Sequence, residues 1–137
     1  NNFGYPSTCN LKRLKKKHKF ISKRKKILIE PIKVKHGKIN SILYKINNSC
    51  AYVSDVSKIY KKDLSKLKNL KYLVVDCLRY EPHPSHFNLD DVLELVSLIK
   101  PKKTILINMN YEIDYLKVQK FLPKNVSPAY DGMSFLI

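Results

Sequence analysis

The sequence predicts an α/β domain in which a sheet and helices form layers, and three observations carry this prediction. Short apolar, β-branched runs recur from residue 27 to the end, as expected of strands. Between them lie segments with apolar residues at helical spacing, bounded by start and stop signals. The hydrophobic fraction of 44% over 137 residues is enough for one domain with a packed core. Strands that alternate with helices in this way are typical of layered α/β domains.

Strands dominate the first half of the predicted domain. Residues 27–34 form an apolar run that contains Pro31, which lacks a backbone N–H and therefore favours an edge strand. His36 and Gly37 follow as a turn. The next predicted elements, in order, are a strand at residues 39–46, a hairpin turn at Asn47-Asn48, a short strand at 51–54 and a short helix or helical turn within 57–70.

Helix signals are clearest in the second half. Asn88 is a predicted N-cap, and Asp90 and Asp91 lie in the first turn, where the helix dipole favours anions. Lys100-Pro101 ends this helix. The remaining predicted elements are buried strands at residues 72–75 and 104–107, a short helix at 114–121 that stops at Pro123, and a terminal strand at 133–137.

The N-terminal segment is strongly basic. Residues 1–29 contain no acidic residue and predict a solvated, weakly ordered arm that precedes the domain at residues 30–137. The net charge of +16 would attract nucleic acid without a specific site. A chain rich in Lys, Asn and Ile is also typical of an AT-rich genome, and the lysine tract has one aromatic residue, Phe20, so a solvated charge run is the favoured interpretation. An organelle transit peptide is the alternative, although such peptides are richer in Arg and Ser.

Cysteine usage and hydropathy predict a cytoplasmic protein. The three cysteines show no CxxC spacing and are too few and too scattered for a disulfide framework, which indicates a reducing compartment. No apolar run has the length of a membrane span, and the basic start lacks the apolar region of a secretory signal, so we expect no membrane association. Because the first residue is Asn, we expect a fragment, a processed product or a truncated chain.

Residues that could carry chemistry follow the predicted strands. His36, Asp55 and Asp76 each come after a strand, and His86 lies in the loop after Asp76, just before a helix. Sites in α/β proteins are commonly built at strand ends, and imidazole and carboxylate are natural ligands of zinc or manganese. The spacing forms no known motif, so on spacing alone we favour a turn residue for His36 and a cap for Asp55. His86 could contact a phosphate near the helix N-terminus or pack in its proline-rich loop.

Several phrases, in order, resemble the metallo-β-lactamase-fold hydrolases over residues 30–137. They are Ala51-Tyr-Val-Ser-Asp55-Val-Ser57, Val75-Asp-Cys-Leu-Arg-Tyr80, Pro82-His-Pro-Ser-His-Phe87 and Ser127-Pro-Ala-Tyr-Asp-Gly-Met133. They are most similar to the phosphoribosyl cyclic phosphodiesterase-like branch, with ribonuclease Z more distant. The resemblance implies the C-terminal half of a four-layer αββα sandwich and a phosphodiester substrate.

The resemblance also implies roles for three residues. His36, in Val34-Lys-His36-Gly37, matches a histidine ligand of one metal, and Asp55 matches the carboxylate that bridges two metals. His86 matches a histidine near the scissile phosphate, a candidate catalytic acid or phosphate contact. The implied cofactor is a divalent metal, zinc or manganese.

The departures from the family predict an incomplete site. The family's His-x-His-x-Asp-His motif has no counterpart here, and the late segment that should carry another histidine has Asn108, Asn110 and Tyr111. Asn is a poor zinc ligand, and two ligands do not make the usual site. We therefore expect the isolated chain to bind metal weakly and to lack activity. Its apolar sheet face should need a separate N-terminal half or a homodimer partner. The alternative function is a non-catalytic basic module that binds nucleic acid or a protein.

Overall fold

A computed structural model describes residues 13–22 and 25–137 and contains one mixed sheet of seven strands in sequential order. The strands are β1 (His18–Ser22), β2 (Lys25–His36), β3 (Ile39–Ile46), β4 (Cys50–Val53), β5 (Tyr72–Asp76), β6 (Lys103–Ile107) and β7 (Val126–Pro128). The helices are α1 (Lys61–Leu64), which continues as a 3₁₀ turn (Ser65–Leu67), α2 (Leu89–Ile99) and α3 (Tyr115–Phe121). None of the helices within these residues is long and apolar enough to cross a membrane.

The sheet has an antiparallel half and a parallel half. Strands β1 to β4 pair antiparallel through hairpins, and β4 to β7 pair parallel. The hairpin between β3 and β4 turns at Asn47 and Asn48, both with positive φ, as a tight two-residue turn requires. Strand β2 runs in the same direction as β4. Four strands therefore end at one edge of the sheet, namely β2, β4, β5 and β6.

One face of the sheet carries the main core. Alternate residues of the strands point to the helices, and their side chains pack with α2 and the 3₁₀ turn in a single apolar cluster. Fully buried members include Val53, Val75 and Leu106 on three neighbouring strands and Val92 on α2. This core fixes the strand ends, and therefore the residues that follow them.

The opposite sheet face, which we call the open face, is apolar and only partly covered. Its buried centre is small, formed by Cys50, Val74 and Ile105. Towards the antiparallel half, the cross-strand partners Tyr44 and Tyr52 are 39% and 43% exposed. This is the exposed apolar face that the sequence predicts.

Most predicted elements are confirmed, with shifts at their ends. Strand β3 has its predicted bounds, and α2 begins and ends where its cap and stop signals predict. The strand predicted at residues 51–54 begins and ends one residue earlier, and the helical stretch predicted within 57–70 is confined to α1 and the 3₁₀ turn. Strand β2 is longer than predicted. Strand β1 pairs with the first part of β2, up to Ile29, so β2 lies at the edge of the sheet only after that residue.

Two terminal predictions differ from the structure. The terminal strand predicted at residues 133–137 is wrong, because the last strand is β7 and the chain then folds over the open face, where Phe135 stacks on Tyr72 at 4.3 Å. The predicted basic arm at residues 1–29 includes β1 and the start of β2, and its lysines at positions 15–17, 19, 25 and 26 are exposed. Residues 1–12 and 23–24 lie outside the described part, and the boundary after residue 29 stays a prediction.

Candidate metal centre

The common edge of the parallel strands brings the predicted site residues together. His36 ends β2, Asp55 follows β4 and Asp76 ends β5, while His86 lies in the loop that leads into α2. Each of His36, Asp55 and His86 offers one ligand atom, and these three atoms all lie within 4.8 Å of one another. We call these three residues the triad. The structure thus places all three predicted site residues in one group, although they are far apart in sequence.

His36 is oriented by the loop before α2. Its Nδ1 atom lies 2.7 Å from the backbone oxygen of Ser85. A carbonyl oxygen can only accept, so Nδ1 carries the proton and donates it. The Nε2 atom of His36 is then the one with a free lone pair, which is the form that binds a metal.

His86 is oriented in the same way by a buried carboxylate. Its Nδ1 atom lies 2.5 Å from Oδ2 of Asp76, whose side chain is fully buried. The same oxygen accepts a longer bond, 3.4 Å, from the backbone N–H of Val56. A carboxylate that holds Nδ1 of a histidine directs Nε2 outward, as it does for histidines on metals.

Asp76 was predicted only as one of the candidates that follow a strand, without a role of its own. Its second oxygen, Oδ1, is buried and has no hydrogen-bond partner among the described residues. Buried carboxylates are costly unless their charge is compensated nearby. The signal in the sequence was an Asp at the end of a buried strand with a histidine ten residues later, but the contact depends on how the loop folds back.

Asp55 occupies a backbone conformation that is uncommon for a residue with a side chain. Its φ is +51°, in the left-handed region, and it lies at the turn that leaves β4. Residues held in this region are concentrated at functional sites, and Asp tolerates it better than most. Its carboxylate is exposed and makes no hydrogen bond to any described residue, so it is free to bind a ligand.

Asn108 is one of three residues found where a histidine was expected, and it bonds to the sequence neighbour of a triad residue. It follows β6 with a φ of +58°, and its side-chain amide donates to Ser54, the neighbour of Asp55. Tyr111 is 93% exposed, and the backbone N–H of Asn110 bonds to Leu78. The structure therefore places the Asn108 amide at the end of β6, against the hydroxyl of Ser54.

Two further groups near the triad have altered acid–base properties. His83 packs 5.2 Å from the ring of His86, and its pKa is lowered by loss of solvent and then by the nearby charge of Arg79. Burial raises the pKa of the Cys77 thiol to about 12, so it stays protonated at neutral pH. Cys77 adjoins Asp76 in sequence but does not belong to the group of converging ligand atoms.

The donor set fits a divalent transition metal. Two neutral imidazoles and one carboxylate are the protein ligands of several catalytic zinc sites, and the protonation of both Nδ1 atoms leaves the Nε2 atoms available. The unpartnered Oδ1 of Asp76 adds negative charge behind His86.

Comparisons with known proteins point to one fold. No protein-family model matches the chain. A diphosphatase from the PhnP family matches with a TM-score of 0.78 and 28% identity, over 81% of this chain and 44% of that one. The metallo-β-lactamase fold protein YhfI from Bacillus subtilis matches with a TM-score of 0.69 and 13% identity, over 88% of this chain and 53% of that one. Human tRNase Z, short form, matches with a TM-score of 0.64 and 11% identity, over 86% of this chain and 44% of that one.

A curated protein is also similar in sequence. The octanoyltransferase of Porphyromonas gingivalis strain W83 is 26% identical over 135 residues, which is 97% of this chain and 27% of that protein. The chain spans about half or less of each of these four proteins.

Proposed function

We propose that this chain, which has part of a metallo-β-lactamase fold, is the C-terminal part of a metal-dependent hydrolase that acts on phosphodiesters. The observation that carries the proposal is the triad, whose ligand atoms lie within 4.8 Å of one another at the edge where the strands end. The similar solved structures with this fold include a diphosphatase and a tRNase Z, which supports hydrolysis at phosphorus as the reaction class.

The proposed roles follow from the atoms that each residue leaves free. His36 and Asp55 hold the metal through Nε2 and a carboxylate oxygen. A bound divalent ion supplies Lewis-acid stabilisation of charge on the phosphoryl oxygens. His86 faces the substrate phosphate with Nε2, and Asp76 holds its ring through Nδ1, so that a proton on Nε2 is aimed at the leaving oxygen.

The proposal also requires ligands from outside this chain. In these roles the chain supplies two metal ligands, because the third residue of the triad faces the phosphate. One catalytic zinc usually has three protein ligands. The open face is the surface against which the missing part would pack, since it exposes Tyr44 and Tyr52 beside a buried apolar centre. We therefore expect no turnover by the isolated chain.

A second candidate function is favoured by the basic hairpin of β1 and β2. Phe20 is 50% exposed, its ring stacks on His18, and lysines flank both residues. Exposed aromatic rings among cations bind single-stranded nucleic acid by stacking and charge. A loss of RNA binding with rising salt is expected from the net charge alone, so only a defined site size, lost in Phe20→Ala, would support this function.

The hydrolase proposal is tested with bis(p-nitrophenyl) phosphate and added zinc or manganese. The isolated chain and the native protein that contains or binds it, purified through a tag on this chain, are assayed together. We expect turnover only in the native material and at least a ~100-fold loss in Asp55→Ala. As a matched control, Asp131→Ala removes an exposed carboxylate outside the triad and should keep full activity.

Two results would contradict the proposal in different ways. Activity of the isolated chain that is abolished by Asp55→Ala would show that its site is complete. No hydrolysis by native material that contains stoichiometric metal would reject the phosphodiesterase function itself.

A further inference from the structure

We infer that His86 is a third metal ligand when this chain stands alone, so that the triad binds one divalent cation without a second chain. The inference deepens the proposed function and rests on its placement of a metal at His36 and Asp55. It reverses the expectation, drawn from the sequence, that the isolated chain binds metal weakly.

The geometry of the triad is close to that of a bound site. Ligand atoms about 2.1 Å from a tetrahedral zinc lie about 3.4 Å apart. The triad atoms are within 4.8 Å of one another, so no pair has to approach by more than about 1.4 Å to complete the site. Asp55 can make this movement by side-chain rotation, because its carboxylate is exposed and unbound to any described residue.

The two imidazoles are already held in the tautomer that a metal ligand needs. Ser85 fixes the ring of His36 and Asp76 fixes the ring of His86, each through Nδ1. The two rings meet edge to face with their centres 4.6 Å apart. Both Nε2 atoms therefore carry lone pairs in the resting chain, and ordering the side chains costs little when a cation binds.

The charge balance around Asp76 also favours a cation on His86. The fully buried carboxylate faces a histidine and one distant backbone N–H, and its Oδ1 atom has no partner among the described residues. A cation on Nε2 of His86 compensates that buried charge through the imidazole. Removing such a carboxylate behind a ligand histidine typically lowers metal affinity by 10- to 100-fold, roughly.

The ligand role and the acid role of His86 belong to different states. An Nε2 atom that binds a cation has no proton to donate. His86 therefore holds the cation in the chain alone, and becomes available to phosphate when ligands from outside this chain take the metal. Two imidazoles and one carboxylate favour zinc over magnesium or calcium, which prefer oxygen ligands.

The test is zinc titration of the purified 137-residue chain by calorimetry, with cobalt absorption as a spectroscopic report of the ligands. We expect one ion per chain, a loss of affinity of about 100-fold or more in His86→Ala, and about 10- to 100-fold in Asp76→Asn. His83→Ala, which removes a neighbouring imidazole outside the triad, is the matched control and should bind within about threefold of the wild type. His86→Cys should restore tight zinc binding, since a thiolate is also a zinc ligand.

Zinc affinity equal to the wild type in His86→Ala, or no stoichiometric zinc in a chain shown to be folded by circular dichroism, would overturn the inference. If the chain binds no zinc but the native material hydrolyses bis(p-nitrophenyl) phosphate, only this inference fails. If the chain binds zinc through His86 but the native material shows no hydrolysis, only the proposed function fails.

Discussion

Gly37 lets the loop before α2 approach the end of β2. Its φ is +60°, and a Cβ placed there would lie 3.1 Å from Cβ of Ser85 and 3.3 Å from the backbone oxygen of Pro84. Ser85 is the residue that orients His36. A side chain at position 37 would therefore push away the segment that positions both triad histidines.

We expect Gly37→Ala to weaken zinc binding by about tenfold and to lower stability by more than the ~1 kcal/mol that a left-handed backbone costs a non-glycine residue. Gly132→Ala is the matched control, because Gly132 also has a positive φ, +87°, but has no neighbour within 4 Å of the added Cβ. Thermal unfolding and zinc titration of both variants separate backbone strain from the contact. Equal effects of the two substitutions would show that the approach of the loop to Gly37 is unimportant.

The chemistry of the site was predictable from residue types, but its internal contacts were not. His36 and Asp55 were candidates because each follows a strand, and His86 because it precedes a helix, but their roles came from the resemblance. The contact of His36 with Ser85 joins residues 49 apart, and Asp76 reaches His86 only because the loop between them folds back. Such contacts depend on loop conformation, which carries no periodic signal in the sequence.

At the scale of elements, the N-terminus of α2 ties the site to the core. Asn88 caps the helix by accepting from the backbone N–H of Asp91, and the Asp91 side chain accepts from the backbone N–H of Asn88 in return. The Asn88 amide also donates to the backbone oxygen of Tyr80, across the loop that carries His86. The cap therefore fixes both the helix and the ends of the site loop.

We expect Asn88→Ala to destabilise the chain by about 2 kcal/mol, because it removes a cap and also the hydrogen bond to the backbone oxygen of Tyr80. Asp114→Ala removes the cap of α3 at an exposed position and should cost about 1 kcal/mol or less. Urea unfolding of the two variants measures the difference. A cost for Asn88→Ala no larger than that for Asp114→Ala would contradict the proposed link between the cap and the loop.

Helices and strands with strong local sequence signals were predicted correctly, and those without such signals were not. The caps and stops of α2 and α3 are local, and both helices lie where these signals place them. Strand β7 was missed because it has only three residues and ends in Pro128, which is too short a run to show the pattern of a strand. Within residues 133–137, Met133 and Phe135 pack on the open face, whereas Leu136 is 86% exposed, so the apolar composition that resembles a strand does not reflect pairing in the sheet.

At the scale of the whole molecule, an apolar face and a large positive charge act against each other. The open face favours association, since Tyr44 and Tyr52 remain partly exposed beside its buried centre. The net charge of +16 opposes association between two copies of the chain. The fold itself was predictable at this scale, since the resemblance covered the whole domain, whereas the partner that covers the open face stays a prediction.

The salt dependence of self-association should show whether apolar burial or charge repulsion is the larger effect. Because salt screens the repulsion more strongly than it affects apolar burial, we expect sedimentation velocity at micromolar concentration to show monomer at low salt and a growing dimer fraction at high salt. Tyr52→Ser should weaken the dimer by about tenfold, which corresponds to ~1.4 kcal/mol of lost burial. Tyr111→Ser, which changes a tyrosine that is 93% exposed and outside the sheet, is the control and should leave association unchanged. A monomer at every salt concentration would reject the homodimer and leave a separate N-terminal half as the partner for the open face. A dimer whose affinity is unchanged in Tyr52→Ser would show that the contact lies elsewhere on the surface.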